Sequence, residues 1–164
     1  MSVSQSLNTI WRGHQSSLVY LGLFILIYLM LRSLKKTTIQ SKIIGSLISG
    51  GVNPALANIV FAQACHETGN FTSPVFLLNN NCFGMRPPQE YIIATGEQFG
   101  YAKYNSIEDS AQAMSVYLSA HGITGNIQTV DQYVNSLHDQ AYFEADLQEY
   151  INGVTYFYNL YFGQ

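Results

Sequence analysis

The chain has 164 residues, of which 48% are apolar and only 10% are charged, so it has room for one ordinary domain and a short additional segment. Charge divides along the sequence, because residues 1–42 carry a net charge of +5 with no acidic residue, whereas residues 43–164 carry −8. The acidic body excludes nucleic-acid binding, which requires a basic surface, and two cysteines are too few for a disulfide framework. Cys65 and Cys82 are predicted to be buried thiols, with a single disulfide as the alternative.

The first predicted element is an apolar helix near the N-terminus. Residues 18–31 form an uninterrupted run of fourteen apolar residues, counting one glycine and two tyrosines, and Arg32 and two lysines follow it. A membrane span needs about 20 residues, although about 17 suffice, and the apolar stem of Arg32 can lengthen the run. A cleaved signal peptide would place its charge before the run and small residues after it. The sequence therefore predicts an uncleaved, single-pass transmembrane anchor.

The anchor sets the predicted domain boundaries. Residues 1–16 form an N-terminal tail, residues 17–34 cross a lipid membrane, residues 35–42 form a basic neck and residues 43–164 form the folded domain. Positive charge lies mainly after the anchor, so the positive-inside rule places the domain in the cytoplasm. The virion membrane of a lipid-containing phage fits that orientation, with other virion proteins as partners, and a bacterial inner membrane is the alternative.

The folded domain is predicted to be mainly helical, with one small β-hairpin between its helices. Residues 43–48 should form a short amphipathic helix that Gly50 and Gly51 stop. Four further helices are expected: from the N-cap Asn53 to Gly69, from the capping box at Ser106 to Ala120, from Thr129 to Leu137, and over residues 142–161. Residues 90–104 read as a hairpin around Thr95-Gly96-Glu97. This order indicates an α+β fold.

Glu67 is the strongest catalytic candidate in the sequence. It follows Leu56, Val60 and Gln63 at helical spacing, so its carboxyl should lie on the buried face of its helix. It also lies in the last turn, where the negative end of the helix dipole opposes a carboxylate. Burial and dipole both favour the protonated acid, which is the form that can protonate a glycosidic oxygen.

Three motifs in order resemble the glucosaminidase family of peptidoglycan hydrolases, which includes flagellar-rod muralytic enzymes and many phage and bacterial autolysins. The segment AQACHETGNF (residues 62–71) resembles the family's H-E-[ST]-G helix end. NNNCFGMR (79–86) resembles its N-N-x-F-G-[MIL]-[KR] segment, and YAKYNSIEDSA (101–111) its Y-x-x-Y-x-S-x-x-D-S stretch. The resemblance covers residues 53–120 well and 121–155 loosely, and it implies a lysozyme-like fold.

The resemblance also implies roles for individual residues. Glu67 matches the family's general acid, and a second acid is expected in the β-lobe, where Glu97 is preferred to Glu90 because it lies near the predicted hairpin turn. A late family motif that places a tyrosine beside the substrate resembles AYFEAD (residues 141–146), although the proline that usually follows it is absent. The predicted substrate-binding residues are Tyr142, Asn81, Phe83 and Tyr104.

These expectations combine into a membrane-anchored peptidoglycan hydrolase that cuts the β-1,4 glycan strand. N-acetylglucosaminidase activity is preferred, with muramidase or lytic transglycosylase next. The competing hypothesis is a non-catalytic structural membrane protein that uses the fold to bind peptidoglycan or a partner. No cofactor is expected, and His66 beside Glu67 does not indicate a metal site because the sequence contains no H-E-x-x-H motif.

Overall fold

A computed structural model describes the backbone of residues 3–87, 93–123 and 125–163, and the side chains of those residues except 3–18 and 35–37. The chain forms two compact units, Met1–Ile39 and Gln40–Gln164. Glu90, the less favoured of the two predicted β-lobe acids, lies outside the described residues.

Helix α1 spans Val3–Ser49. In the first unit its large apolar side chains between residues 19 and 34 are 48–71% exposed. Within the part of the chain that the structure describes, no helix combines the length and the hydropathy needed to cross a membrane. The short helix predicted over residues 43–48 is the end of α1, and its predicted stop at Gly50 and Gly51 is confirmed.

The next two helices begin at the same type of cap. Helix α2 spans Pro54–Glu67, and the Asn53 side chain accepts a hydrogen bond from the Leu56 N–H at 2.9 Å, as the sequence predicted. Helix α3 spans Pro74–Asn79 behind an equivalent cap at Ser73. This helix was not predicted, although a serine followed by proline was the available signal.

The predicted hairpin exists, but its turn lies further along the chain than expected. Strand β1 spans Gly96–Gln98 and pairs antiparallel with β2, Tyr101–Lys103. The turn is Phe99-Gly100, where both residues have positive φ, 60° and 76°. Placing the turn at Thr95-Gly96-Glu97 was therefore wrong. Gly96 favours a turn locally, but the actual turn places Phe99 in the left-handed conformation, which is unusual for phenylalanine.

Three helices complete the domain. Helix α4 spans Ile107–Ala120, α5 spans Val130–Asp139 and α6 spans Leu147–Phe162. Ser106 and Thr129 cap α4 and α5 as predicted. Helix α6 begins five residues later than predicted, because the Asp146 carboxylate accepts from the Glu149 N–H and starts the helix there. Helices plus one small antiparallel sheet confirm the predicted α+β class.

The core of the second unit is built around α2, which packs against α6 and α5. Twelve consecutive residues of α2, from Leu56 to Glu67, are buried or half-buried. Gly153 of α6 lets the helices approach closely, since an added Cβ there would lie 2.3 Å from the His66 ring. Cys65 and Cys82 are buried thiols, as predicted, and burial raises the pKa of Cys82 to about 12.

Candidate active site

Glu67 is the last residue of α2, and its carboxyl lies between the helix and a cleft of about 310 Å³. The Tyr150 hydroxyl of α6 donates a hydrogen bond to Glu67 Oε1. Burial raises the pKa of Glu67, and the hydrogen bond from Tyr150 opposes that rise. The protonated acid predicted from the sequence therefore has a physical basis in the structure.

The second oxygen of Glu67 faces a tight turn. Gly84 has φ +64°, and a Cβ added there would lie 3.2 Å from Glu67 Oε2. Asn81 holds this turn from inside, because its side chain accepts from the N–H groups of Phe83 and Met85 and donates to the carbonyls of Met85 and Ala102. A residue without a side chain is needed here for the turn to approach the acid.

The opposite wall of the cleft comes from the segment between α5 and α6. The Tyr142 hydroxyl donates to the Phe83 carbonyl at 2.7 Å, which joins this segment to the turn. The Phe143 ring stacks on the Tyr150 ring with centroids 3.9 Å apart and planes 2° from parallel. The cleft is lined by Glu67, Phe83, Gly84, Met85, Arg86, Tyr101, Ala141, Tyr142, Phe143 and Glu144.

Two opposite charges lie in this lining. The Arg86 guanidinium donates to the Tyr101 hydroxyl at 3.2 Å and lies 5.0 Å from the centre of that ring. Tyr101, and more weakly the charge of Glu144, raise the pKa of Arg86. Glu144 was not predicted as a site residue, because the AYFEAD segment was matched to the family motif for its tyrosine, Tyr142. It is the second carboxylate among the described residues that line the cleft.

The predicted site residues divide into two groups. Glu67, Tyr142 and Phe83 line the cleft. Asn81 and Tyr104 are 1% exposed, and the Tyr104 hydroxyl lies 3.3 Å from the Met85 sulfur, so both support the lining residues from behind.

Glu97 lies apart from these residues. It is exposed on β1 and is not among the residues that line the cleft with Glu67. No group of three or more possible metal ligands occurs in the described ranges.

Comparison with known proteins identifies the family. The family model described as "Glucosaminidase: Mannosyl-glycoprotein endo-beta-N-acetylglucosaminidase" matches residues 50–161, more than half of the chain. The chain belongs to the glucosaminidase family. The resemblance read from the three motifs is therefore confirmed, and the chain is a glycosidase of the endo-β-N-acetylglucosaminidase type.

A solved structure shows the same fold at low sequence identity. A chain in the "Structure of a type VI secretion system effector-immunity complex from Pseudomonas protegens" has a TM-score of 0.56 and 17% identity. The match covers 74% of this chain and 90% of the other chain. No curated protein matches. At this identity the likeness supports the shared fold alone.

Proposed function

We propose that this glucosaminidase hydrolyses the β-1,4 glycan strand of peptidoglycan at N-acetylglucosamine, with Glu67 as the general acid. The position of Glu67 carries the proposal, because a half-buried carboxyl with a raised pKa opens onto the cleft of a family member. A protonated acid in a cleft can give its proton to the leaving glycosidic oxygen as the bond breaks.

The lining of the cleft suits a neutral sugar polymer. The half-buried aromatic side chains of Tyr101, Tyr142 and Phe143 line the cleft together with Glu67, and their rings carry no fixed charge. The two charged side chains besides Glu67, Arg86 and Glu144, have opposite signs. This composition supports a glycan substrate rather than a strongly charged one.

Digestion of purified peptidoglycan by the full-length chain tests the proposed activity. We expect soluble fragments with a reducing N-acetylglucosamine end. A reducing N-acetylmuramic acid end would instead indicate a muramidase, and an anhydro-sugar end a lytic transglycosylase. Binding of peptidoglycan without any cleavage would favour the competing hypothesis of a non-catalytic structural protein.

We propose that Glu144, rather than Glu97, is the second carboxylate of the reaction. Glu144 lines the same cleft as Glu67, whereas Glu97 is exposed on β1 outside that lining. Glu144→Gln should lower the rate of peptidoglycan hydrolysis by about 10²-fold or more, the size of a general-base contribution, while Glu97→Gln should change it less than about threefold. Initial rates of the two purified variants measure this. A larger loss in Glu97→Gln would restore the prediction made from the sequence.

We also propose that the N-terminal helix attaches the enzyme to a membrane. The large apolar side chains between residues 19 and 34 are 48–71% exposed, and such a surface is unfavourable in water. Alkaline carbonate washing of membranes that carry the full-length chain should leave it in the pellet, whereas a variant with Phe24, Leu26 and Leu29 changed to Ser should be released. Release of the unchanged chain by the wash would contradict membrane attachment.

We propose the orientation of the domain at that membrane from the distribution of positive charge. The basic residues after the apolar run outnumber those before it, which favours a domain on the cytoplasmic side of the host membrane and a place in a phage particle. Protease treatment of intact spheroplasts tests the orientation, since a cytoplasmic domain should be protected. Digestion of the domain from outside would favour a bacterial inner-membrane enzyme instead.

A further inference from the structure

A continuous chain of hydrogen bonds leads from the interior of the domain to Glu67. The Tyr133 hydroxyl of α5 donates to Gln63 Oε1 of α2 at 2.6 Å. Gln63 Nε2 donates to the Tyr150 hydroxyl oxygen of α6 at 3.1 Å. The Tyr150 hydroxyl then donates to Glu67 Oε1. Tyr133 and Gln63 are completely buried and Tyr150 is 4% exposed, so water does not compete for these groups.

The direction in which these hydrogen bonds are donated depends on Tyr133, at the buried end of the series. Burial raises the pKa of Tyr133 well above the usual value, so its hydroxyl stays protonated and can satisfy the carbonyl oxygen of the Gln63 amide. That contact turns the amide N–H₂ towards Tyr150. Because the Tyr150 oxygen accepts from Gln63, its single proton is directed to Glu67.

The direction decides which oxygen of Glu67 carries the acid proton. Oε1 accepts from Tyr150, so the proton of the neutral acid belongs on Oε2, the oxygen beside Gly84. If the Gln63 amide were reversed, Tyr150 would donate to Gln63 Oε1 instead. The neutral acid would then place its proton on Oε1 and donate it to Tyr150, away from the cleft.

We propose that Tyr133, acting through Gln63 and Tyr150, is a positioning residue that keeps the transferable proton of Glu67 on Oε2. Tyr133 does not line the cleft, and it is separated from the acid by two other side chains. The proposal rests on the proposed role of Glu67 as general acid, and it deepens that role by naming the residues that set the position of the proton.

Other ionisable groups also surround the acid, and they are common to every variant compared below. On the α2 side the His66 ring meets the Tyr150 ring edge to face, with centroids 4.8 Å apart, and burial lowers the pKa of His66. The remaining groups come from the α5–α6 segment, the turn after Asn81 and the hairpin: Tyr142, Glu144, Arg86 and Tyr101.

Tyr133→Phe in the full-length chain tests the proposal. The variant keeps the buried ring but removes the donor to Gln63 Oε1, so the amide is no longer held in one orientation, and its reversed form stabilises the neutral acid with its proton on Oε1. We measure the pH profile of kcat/KM on soluble peptidoglycan glycan fragments. Its alkaline limb should move to higher pH by about 1 unit, the effect of one hydrogen bond to a charged group. At its maximum, kcat/KM should fall by about tenfold because the proton points away from the cleft.

Gln63→Met separates positioning from a purely structural role. Methionine removes the amide that can reverse, so Tyr150 keeps donating to Glu67 and the alkaline limb should stay near that of the unchanged chain. In the double variant with Tyr133→Phe, the limb should match that of Gln63→Met alone, since the effect of Tyr133 passes through Gln63. Two results would overturn the proposal. One is a limb that Tyr133→Phe shifts equally in the unchanged chain and in Gln63→Met, and the other is a limb that Tyr133→Phe alone does not shift.

Folding and the proposed activity are controlled separately. If circular dichroism shows that Tyr133→Phe is unfolded, a fluorinated tyrosine at position 133 replaces it. This residue keeps the shape of tyrosine and donates a stronger hydrogen bond, so the alkaline limb should move to lower pH. An unmoved limb would overturn the proposal. Absence of hydrolysis by the unchanged chain would contradict the proposed function. Full activity with an unchanged limb in folded Tyr133→Phe would contradict the positioning role alone.

Discussion

Glu67→Gln is expected to abolish the hydrolysis of peptidoglycan while leaving the domain folded. Glutamine has nearly the same size, and its carbonyl oxygen can still accept the hydrogen bond that Tyr150 donates to Glu67 Oε1. The variant lacks only the transferable proton, and general-acid catalysis contributes about 10²- to 10⁴-fold to rate. Initial rates of fragment release should therefore fall by at least about 10²-fold.

Stability distinguishes loss of chemistry from loss of structure in this variant. Burial raises the pKa of Glu67, so the folded state is favoured while the carboxyl is protonated and loses stability as pH rises through the folded-state pKa. Glutamine cannot ionise, and the Tm of Glu67→Gln should therefore equal or exceed that of the unchanged chain at neutral and alkaline pH. Glu149→Gln, at an exposed position of α6, is the matched control and should retain full activity. A Glu67→Gln rate within tenfold of the unchanged rate would contradict general-acid catalysis by this residue.

Helix starts were predicted well because their signals are local. Asn53, Ser106 and Thr129 each accept a hydrogen bond from the N–H three residues later, and nothing distant is needed to form that contact. The start of α6 was predicted five residues too early, although Asp146 provides the same local signal by accepting from the Glu149 N–H.

The hairpin shows where local preference fails. Left-handed backbone usually selects glycine or asparagine, and Thr95-Gly96 therefore appeared to be the turn. The structure instead puts Phe99 at φ 60° with its side chain 64% exposed. The Asn79 side chain donates to the Gln98 carbonyl at 2.9 Å and contributes to holding this turn from 19 residues away, which no local pattern reveals.

The acid was visible in the sequence, but its surroundings were not. Glu67 could be predicted because helical spacing and a helix end are both local properties. Tyr150 and Tyr133 contact the α2 side chains from 83 and 70 residues away, and only tertiary packing brings these groups together. Glu144 was missed although it lies two residues after Tyr142 in the AYFEAD segment, because only the fold shows that its side chain lines the cleft with Glu67.

Asn81→Ala is expected to destabilise the domain more than any change of an exposed residue. The side chain is 1% exposed and makes four hydrogen bonds to backbone groups, at 2.9 Å to the carbonyls of Met85 and Ala102 and at 3.2 Å from the N–H groups of Phe83 and Met85. Each buried group left unsatisfied costs about 1–3 kcal/mol, so the free energy of unfolding should fall by about 3–5 kcal/mol. For a domain of this size the Tm should fall by roughly 10 °C.

The same change should impair catalysis even below the new Tm. Asn81 ties the turn that carries Gly84 to strand β2, and Gly84 is the backbone against which Glu67 Oε2 lies. Loosening that turn removes a fixed wall of the cleft, so hydrolysis measured well below the Tm should fall by about tenfold or more, as for a displaced catalytic geometry.

Asn135→Ala is the matched control, because this exposed asparagine donates one local hydrogen bond to the Asp131 carbonyl and its loss should cost no more than about 0.5 kcal/mol. Thermal unfolding and initial rates of both variants measure the two effects. Equal Tm values for Asn81→Ala and Asn135→Ala would show that the turn is held by contacts other than the Asn81 side chain.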